Sequence, residues 1–328
     1  MTNLKNNHFI YSMKRLPLNQ INAKKLPTFL GIGSQRCAST WLDQMLRLHP
    51  KIFMAPKECN FFSNKIKTES LECYCRLFEV ENQERRLVQG EISPSYAAMF
   101  PEEIAIVKRI IPDLKVILII RNPVERCISQ ITRQWTYYYV DKGASINRNI
   151  FHLLRSIDSS QSYRLTDYLS IYKNWLMFFG AKNIFIETYD VLNSNPKALM
   201  IDILSFLEVD TNYDFSENIF KQKPNCSKIE SNEIPFFLKW YLSREWLSKV
   251  RQLQSELDLD VSAWIDSMEN TISEGKLYYH LIWFIHKIYF CVPYNFFYGV
   301  FNLFRIRFRI YLILQKANVC KSSNFSNS

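Results

Sequence analysis

Glycine is scarce in this chain, at 7 in 328 residues, or about 2% against a usual share of about 7%. Collagen-like repeats and glycine-rich linkers are therefore excluded. Histidine is also sparse, with 5 scattered residues. No CxxC pair occurs, and the only close pair of cysteines is Cys73 and Cys75. The ligand spacing of a structural zinc site is missing, and no metal is expected. The 8 cysteines invite a disulfide reading, but a chain this long needs no staples. Free thiols in a reducing compartment are the expectation. The first 26 residues carry Lys5, Lys14, Arg15, Lys24 and Lys25 and lack an apolar run of about seven or more. They do not read as a secretory signal or an N-terminal anchor, so the expected location is cytoplasmic, peripheral to a membrane at most.

What is present is a globular composition, 48% hydrophobic and 22% charged. The length suggests about two domains. Lys+Arg exceed Asp+Glu by 41 − 31 = +10. Such an excess favours an anionic partner, without saying which.

Apolar patterning alternates strands with helices. Thr28–Gly33 reads as a buried strand, followed by a polar loop and a helix from Ser39 or Thr40 that His49-Pro50 ends. A second strand is expected at Arg86–Gly90 and a helix over 101–111, with Pro101 at its first position. Val116–Ile120 is continuously apolar, as a central parallel strand covered on both faces should be. Ile184–Thr188 reads as a further strand, with a helix from Pro196 to Leu207 after it. Residues 232–272 read as helical and charged. The pattern predicts an α/β fold: a three-layer parallel sheet with helices on both faces and a phosphate-loop-like strand–loop–helix, plus a helical, aromatic C-terminal extension. The expected divisions are a basic extension (1–26), an α/β core (27–235), a helical, aromatic and basic region (236–320) and a disordered tail (321–328).

In such a sheet, ligands sit at the carboxyl ends of the strands. Two loops there also start helices. In the first, Gly33 to Trp41, helix N–H groups and the Ser39 and Thr40 hydroxyls can cradle an anion, and Arg36 adds a charged fork. A capped helix with a solvated Arg36 is the plainer alternative. This is not an ATP-type loop, because Ala38 and Ser39 stand where GxxxxGK[ST] needs glycine and lysine. In the second, Arg121-Asn122-Pro123 ends the central strand, and Ser129 follows two turns into the helix. Arg121 suits a phosphate or, equally, a nearby carboxylate. A third segment, Pro56-Lys57-Glu58-Cys59-Asn60-Phe61-Phe62, suggests Glu58 at the edge of a core, where burial would favour a usable base. A surface ion pair with Lys57 is the plainer reading.

Together, and in this order, these segments resemble the PAPS-dependent sulfotransferases, PAPS being 3′-phosphoadenosine-5′-phosphosulfate. The likeness is to the branch that includes heparan-sulfate sulfotransferases and their bacterial relatives. Gly90-Glu91-Ile92-Ser93-Pro94-Ser95-Tyr96 resembles the family's GEKSPSY-type segment, and Val116 to Ser129 resembles its 3′-phosphate motif. Tyr168 through Leu207 is similar to the later core, and Asn225–Lys228 to the loop closing over the nucleotide. The resemblance implies that Arg36, Ala38, Ser39, Thr40 and Trp41 hold the 5′-phosphosulfate. It implies that Arg121 and Ser129 hold the 3′-phosphate, that Ser227 and Lys228 cover the nucleotide, and that Glu58 is the general base. Arg36 would also stabilise charge on the bridging oxygen, although arginine cannot give up a proton as the family's usual lysine can. Ile92 stands where a lysine is common, which argues against a highly charged, heparan-like acceptor.

The implied co-substrate is PAPS, without metal. The acceptor would be a glycan, a glycolipid or a small hydroxylated molecule, and nucleic acid is not an expected partner. A catalytically silent nucleotide-binding or membrane-associated scaffold is the alternative, and a nucleotide kinase with an altered loop a third. Residues 277–292 form a 16-residue apolar and aromatic run, short of the ~20 residues a spanning helix needs. With Arg305, Arg307 and Arg309 beyond it, the stretch 277–309 suits either packing on the core or contact with a membrane surface.

Overall fold

A computed structural model describes residues 25–79, 88–135, 157, 159–213, 215, 234–281, 283 and 284. They fall into two compact units, Met1–Ile229 with Lys249–Val261, and Glu230–Ser248 with Ser262–Ser328.

The first unit is built on a parallel five-stranded sheet. Its strands are β1 (Phe29–Gly33), β2 (Ile52–Met54), β3 (Val88–Ile92), β4 (Lys115–Ile120) and β5 (Ile184–Thr188), in the order β2-β3-β1-β4-β5. Between them run α1 (Ser39–Leu48), α2 (Leu71–Arg76), α3 (Pro101–Ile110), α4 (Pro123–Trp135), α5 (Ser160–Arg164) and α6 (Tyr168–Phe179). After β5 come α7 (Tyr189–Ser194) and α8 (Pro196–Phe206). The expected α/β parallel sheet is therefore present. The second strand is β3, two residues later than expected at both ends, and Arg86 and Leu87 lie outside the described residues. The sequence reading missed β2, whose three residues are too few to show a period.

Side-chain alternation divides the sheet residues between two faces. Phe29, Ile117 and Ile119 share a cluster with Trp41, Met45 and Leu46 of α1 and Leu199, Ile203 and Leu204 of α8. Leu30, Ile32, Val116, Leu118 and Ile120 point the other way and are also buried. Helices α3 and α6 pack together and bury Ile104, Val107, Trp175 and Phe179. Covering β4 on both faces explains its unbroken apolar run.

β1 lies at the centre, where chain order reverses: β3 is on one side and β4 on the other. Such a reversal opens a crevice at the carboxyl ends of the strands. Gly31 fits there because a Cβ would come within 2.6 Å of Ile92 Cγ1. Ile92 is accordingly 1% exposed and belongs to the packing of the sheet.

In the second unit, Phe237, Trp240, Tyr279 and His280 form a ring cluster. Trp240 Nε1 donates to the Ile272 carbonyl at 3.2 Å. These groups join helix α9 (Phe236–Glu256), whose last residues belong to the first unit, to α10 (Ser262–Ser273) and to the helical residues 277–281 after it.

Candidate functional site

The loop from β1 to α1 sets the floor of the site. Ser34 N–H bonds to the Ile119 carbonyl at 2.8 Å, and Ser34 Oγ donates to the Leu165 carbonyl. The loop is thus tied to β4 and to the end of α5. Arg36 and Ala38 have left-handed backbones, with φ 68° and 62°. Ala38 is the residue before α1 and gives it no side-chain cap. The positive end of the helix dipole is therefore left for another group. Cys37 between them is fully buried, and burial pushes its thiol up to about 11. It stays protonated at neutral pH and is no nucleophile.

The second loop is built differently. Asn122 Oδ1 caps α4 by accepting from Val124 N–H at 2.9 Å. Arg121 is held from three sides: its guanidinium bonds Glu125 at 2.9 Å, it lies 4.7 Å from the centre of the Tyr189 ring, and its carbonyl accepts from Tyr168 Oη at 2.7 Å. Glu125 is 55% exposed, so this ion pair is weak and yields readily to a phosphate.

The two loops meet through Arg36, whose Nε donates to Ser129 Oγ at 3.0 Å. Burial lowers the proton affinity of Arg36, and so do the charges of Arg133, Arg121 and Arg126. Arg126 is 0% exposed and bonds the neutral Gln130 and Ser162, with Nε left without a partner. Positive charge thus accumulates behind these loops with neutral groups around it, an arrangement that an anion stabilises.

The third segment approaches α1. Arg47 bonds Asp43 at 2.9 Å and the Met54 carbonyl at 2.7 Å. This holds the strand end beside the helix. Lys57 Nζ then donates to Ser39 Oγ at 3.0 Å and Thr40 Oγ1 at 3.3 Å. Glu58 is exposed, while Phe61 and Phe62 turn into the core at 2% exposure each. Glu58 therefore has solvent rather than the core edge around it. Asn60 Nδ2 donates to its Oε2 at 3.4 Å.

A buried carboxylate fixes this segment from behind. Glu91 is 0% exposed and accepts from Ser93 Oγ and Tyr96 Oη, each at 2.6 Å, and from Tyr74 Oη at 2.9 Å. Burial raises its proton affinity, against the pull of these three bonds. Ser93 Oγ accepts in turn from Asn60 N–H at 2.8 Å, and Ser95 Oγ donates to Asn60 Oδ1 at 2.6 Å.

Of the residues singled out in the sequence, Arg36 and Ser129 meet directly, Arg121 lies close enough to Arg36 to lower its proton affinity, and Ser39 and Thr40 line the start of α1. Trp41 is 4% exposed in the core, so its main-chain N–H is what it can offer a ligand. Ser227 and Lys228 lie outside the described residues. Sequence reasoning did not assign Lys57, Arg126, Arg133 or Tyr189 to the site. Arg133 had a signal, lying one turn beyond Ser129 on the same helix face.

Comparison with known proteins gives consistent matches. A family model described as "Sulfotransferase domain" matches residues 27–274. The membrane-associated sulfotransferase kil1 of Dictyostelium discoideum is 30% identical over 133 residues, covering 39% of this chain and 27% of that protein. The heparan sulfate glucosamine 3-O-sulfotransferase 6 of Mus musculus is 27% identical over 222 residues, covering 65% of this chain and 62% of its own length. The bifunctional heparan sulfate N-deacetylase/N-sulfotransferase 4 of Mus musculus is matched over 23% of its length, at 26% identity. The chain thus spans about a quarter of kil1 and of the bifunctional enzyme. A crystal structure of a sulfotransferase from Alicyclobacillus acidocaldarius superposes with a TM-score of 0.57 at 22% identity, over 73% of this chain and 98% of that one.

Proposed function

The chain belongs to the sulfotransferase domain family, and on that premise we propose that it moves the sulfuryl group of PAPS to a hydroxyl or amine of a carbohydrate or glycolipid acceptor. The observation that carries this reading is the Arg36–Ser129 bond. It joins a loop suited to one phosphate to a helix suited to another, with Arg121, Arg126 and Arg133 around it. A nucleotide with separate 5′ and 3′ anionic groups fits that pair of loops. The unpartnered Nε of buried Arg126 and the uncapped end of α1 are the groups that favour an anion nearby.

PAPS supplies an activated sulfuryl group on a phosphate–sulfate anhydride. In this reading Arg36, Ser39, Thr40 and the main-chain N–H groups of Ala38 and Trp41 hold its 5′ end, Arg121 and Ser129 hold its 3′-phosphate, and Ser227 and Lys228 cover it. Glu58 takes the acceptor proton as the acceptor attacks. Its exposed position suits a base that must reach a bulky acceptor. The protein contributes mainly position and positive charge, as in phosphoryl transfer.

Thermal stabilisation by adenosine 3′,5′-bisphosphate tests the reading, with ADP and ATP as controls. A ligand at 100 times its dissociation constant adds about 2.7 kcal/mol. A shift of several degrees with the bisphosphate alone is expected. No shift, or an equal shift with ATP, returns the scaffold or kinase reading.

Contact with a membrane surface is part of the proposal. In the second unit Leu277, Leu281 and Phe284 are 88%, 60% and 55% exposed, a spacing that puts them on one helical stripe. No described helix is long and apolar enough to cross a membrane. Co-flotation with anionic vesicles that persists in high salt is expected, because apolar insertion resists screening.

A further inference from the structure

Arg126 has no assigned task in the reading above, yet it holds a full charge at 0% exposure. An arginine cannot shed its proton to relieve that burial. Its bonds go to neutral groups: Gln130 Oε1 at 2.9 Å, Ser162 Oγ at 3.2 Å, Cys127 Sγ at 3.3 Å and the Ser162 carbonyl at 3.5 Å. Its Nε has no partner. Cys37 and Tyr168 could oppose its charge only as anions. Burial holds both protonated, the thiol pushed up to about 11 and the phenol well above its usual range. Nor do the main acceptors depend on Arg126. Gln130 Oε1 also accepts from Ser162 Oγ at 3.4 Å, and the Ser162 carbonyl from Thr166 Oγ1 at 2.7 Å. Local hydrogen bonding therefore gives no reason for a charge at this position.

The position does have a reason in its place along the chain. Arg126 stands between Arg121 and Ser129, on α4. Its charge is also felt at Arg36, whose Nε lies on Ser129. We propose that Arg126 is a specificity-determining residue whose counter-charge is supplied by the ligand, as a doubly charged phosphate monoester held at Arg121 and Ser129. The inference rests on the nucleotide reading and deepens it. Without the anion, a buried cation stands uncompensated, and that costs folding stability. With a phosphate dianion in place, attraction through the low-dielectric interior offsets the cost. A nucleotide that carries an uncharged hydroxyl at that end offsets none of it there. Arg126 thereby favours nucleotides with the second phosphate, and the unliganded chain is less stable than its packing alone would make it.

Arg126→Met keeps the apolar stem and removes the charge, and Arg126→Gln does so with a polar end. Melting of the unliganded protein is read together with calorimetric titration by adenosine 3′,5′-bisphosphate and adenosine 5′-monophosphate. The melting temperature of Arg126→Met should rise by a few degrees, because the charge is gone while its main acceptors stay paired. Arg126→Gln should melt no lower than the unaltered protein. In both variants, affinity for the bisphosphate should fall about tenfold, as for loss of one cation near a phosphate. Affinity for the 5′-monophosphate should fall by less, so the preference between the two nucleotides narrows. A residue needed only for packing gives the opposite sign in melting and leaves that preference where it was. A lower melting temperature, failure of both variants to fold, unchanged bisphosphate affinity or equal losses with the two nucleotides overturns the inference while leaving the nucleotide reading intact. Failure of the unaltered protein to bind either nucleotide overturns both.

Discussion

The two strand-to-helix junctions of the sheet offer an anion different things. At β1–α1 the residue before the helix is Ala38, in a left-handed conformation and without a capping side chain. At β4–α4 the corresponding residue is Asn122, which caps the helix itself. The first junction leaves its helix end without a side-chain cap and sets the Ser39 and Thr40 hydroxyls and Lys57 beside it. The second satisfies its helix end internally and presents side chains instead, Arg121 and Ser129. One fold element, used twice, thus presents main-chain N–H groups and hydroxyls at one junction and guanidinium groups at the other. The separation suits a ligand whose two anionic ends differ in chemistry.

The largest effect should come from a change that touches neither junction. Glu58→Gln should lower sulfuryl transfer by about 10²–10⁴-fold, the range for a lost general base. Calorimetry should show unchanged affinity for adenosine 3′,5′-bisphosphate; turnover at the normal rate would remove Glu58 from the mechanism. Arg121→Gln should break the second junction alone. Affinity for adenosine 3′-monophosphate should fall about tenfold or more, the range for charge-assisted bonds, and that for the 5′-monophosphate should not move.

Stability should respond to the two positions before the helices with opposite signs. Asn122→Ala removes a cap and should cost about 1 kcal/mol. Ala38→Gly relieves a left-handed alanine and should add about 1 kcal/mol. Each would move the melting temperature by roughly 2–4 °C, in opposite directions. Equal signs would mean that Ala38 is not strained. The smallest effect concerns pH. Burial lowers the folded-state proton affinity of Lys57, so between that lowered value and the ordinary lysine value of about 10.4 the unfolded chain binds more protons. Stability contributed by this group therefore rises with pH across that window. The rise should be absent in Lys57→Met when melting is followed from neutral to alkaline pH.

Much of this architecture could be read from local signals. The unbroken apolar run of β4 announced a central strand because both its faces are covered, and Pro101 and Pro196 each marked a helix start. The edge strand β2 was silent because three residues carry no period. The candidate site could be proposed from sequence where it is local: Arg36 to Trp41 and Arg121 to Ser129 are continuous stretches. It was illegible where it depends on tertiary contact. Lys57 reaches back 17 and 18 residues to Thr40 and Ser39, and its neighbour Glu58 made an ion pair the plainer expectation. Glu91 looked like one more charge in a motif. Its role in fixing Asn60 appears only when Tyr74, Ser93 and Tyr96 converge on it. The same holds for Arg126, whose burial among neutral partners no composition could announce.

The buried thiol of Cys37 gives the first junction a clock of its own. A protonated sulfur with no exposed surface reacts with an alkylating reagent only when the loop opens. Its labelling rate then measures the opening equilibrium of that loop, as amide exchange does for a helix. On the proposed reading, a bound nucleotide should lengthen the interval between openings, and occupancy could then be timed at one sulfur atom.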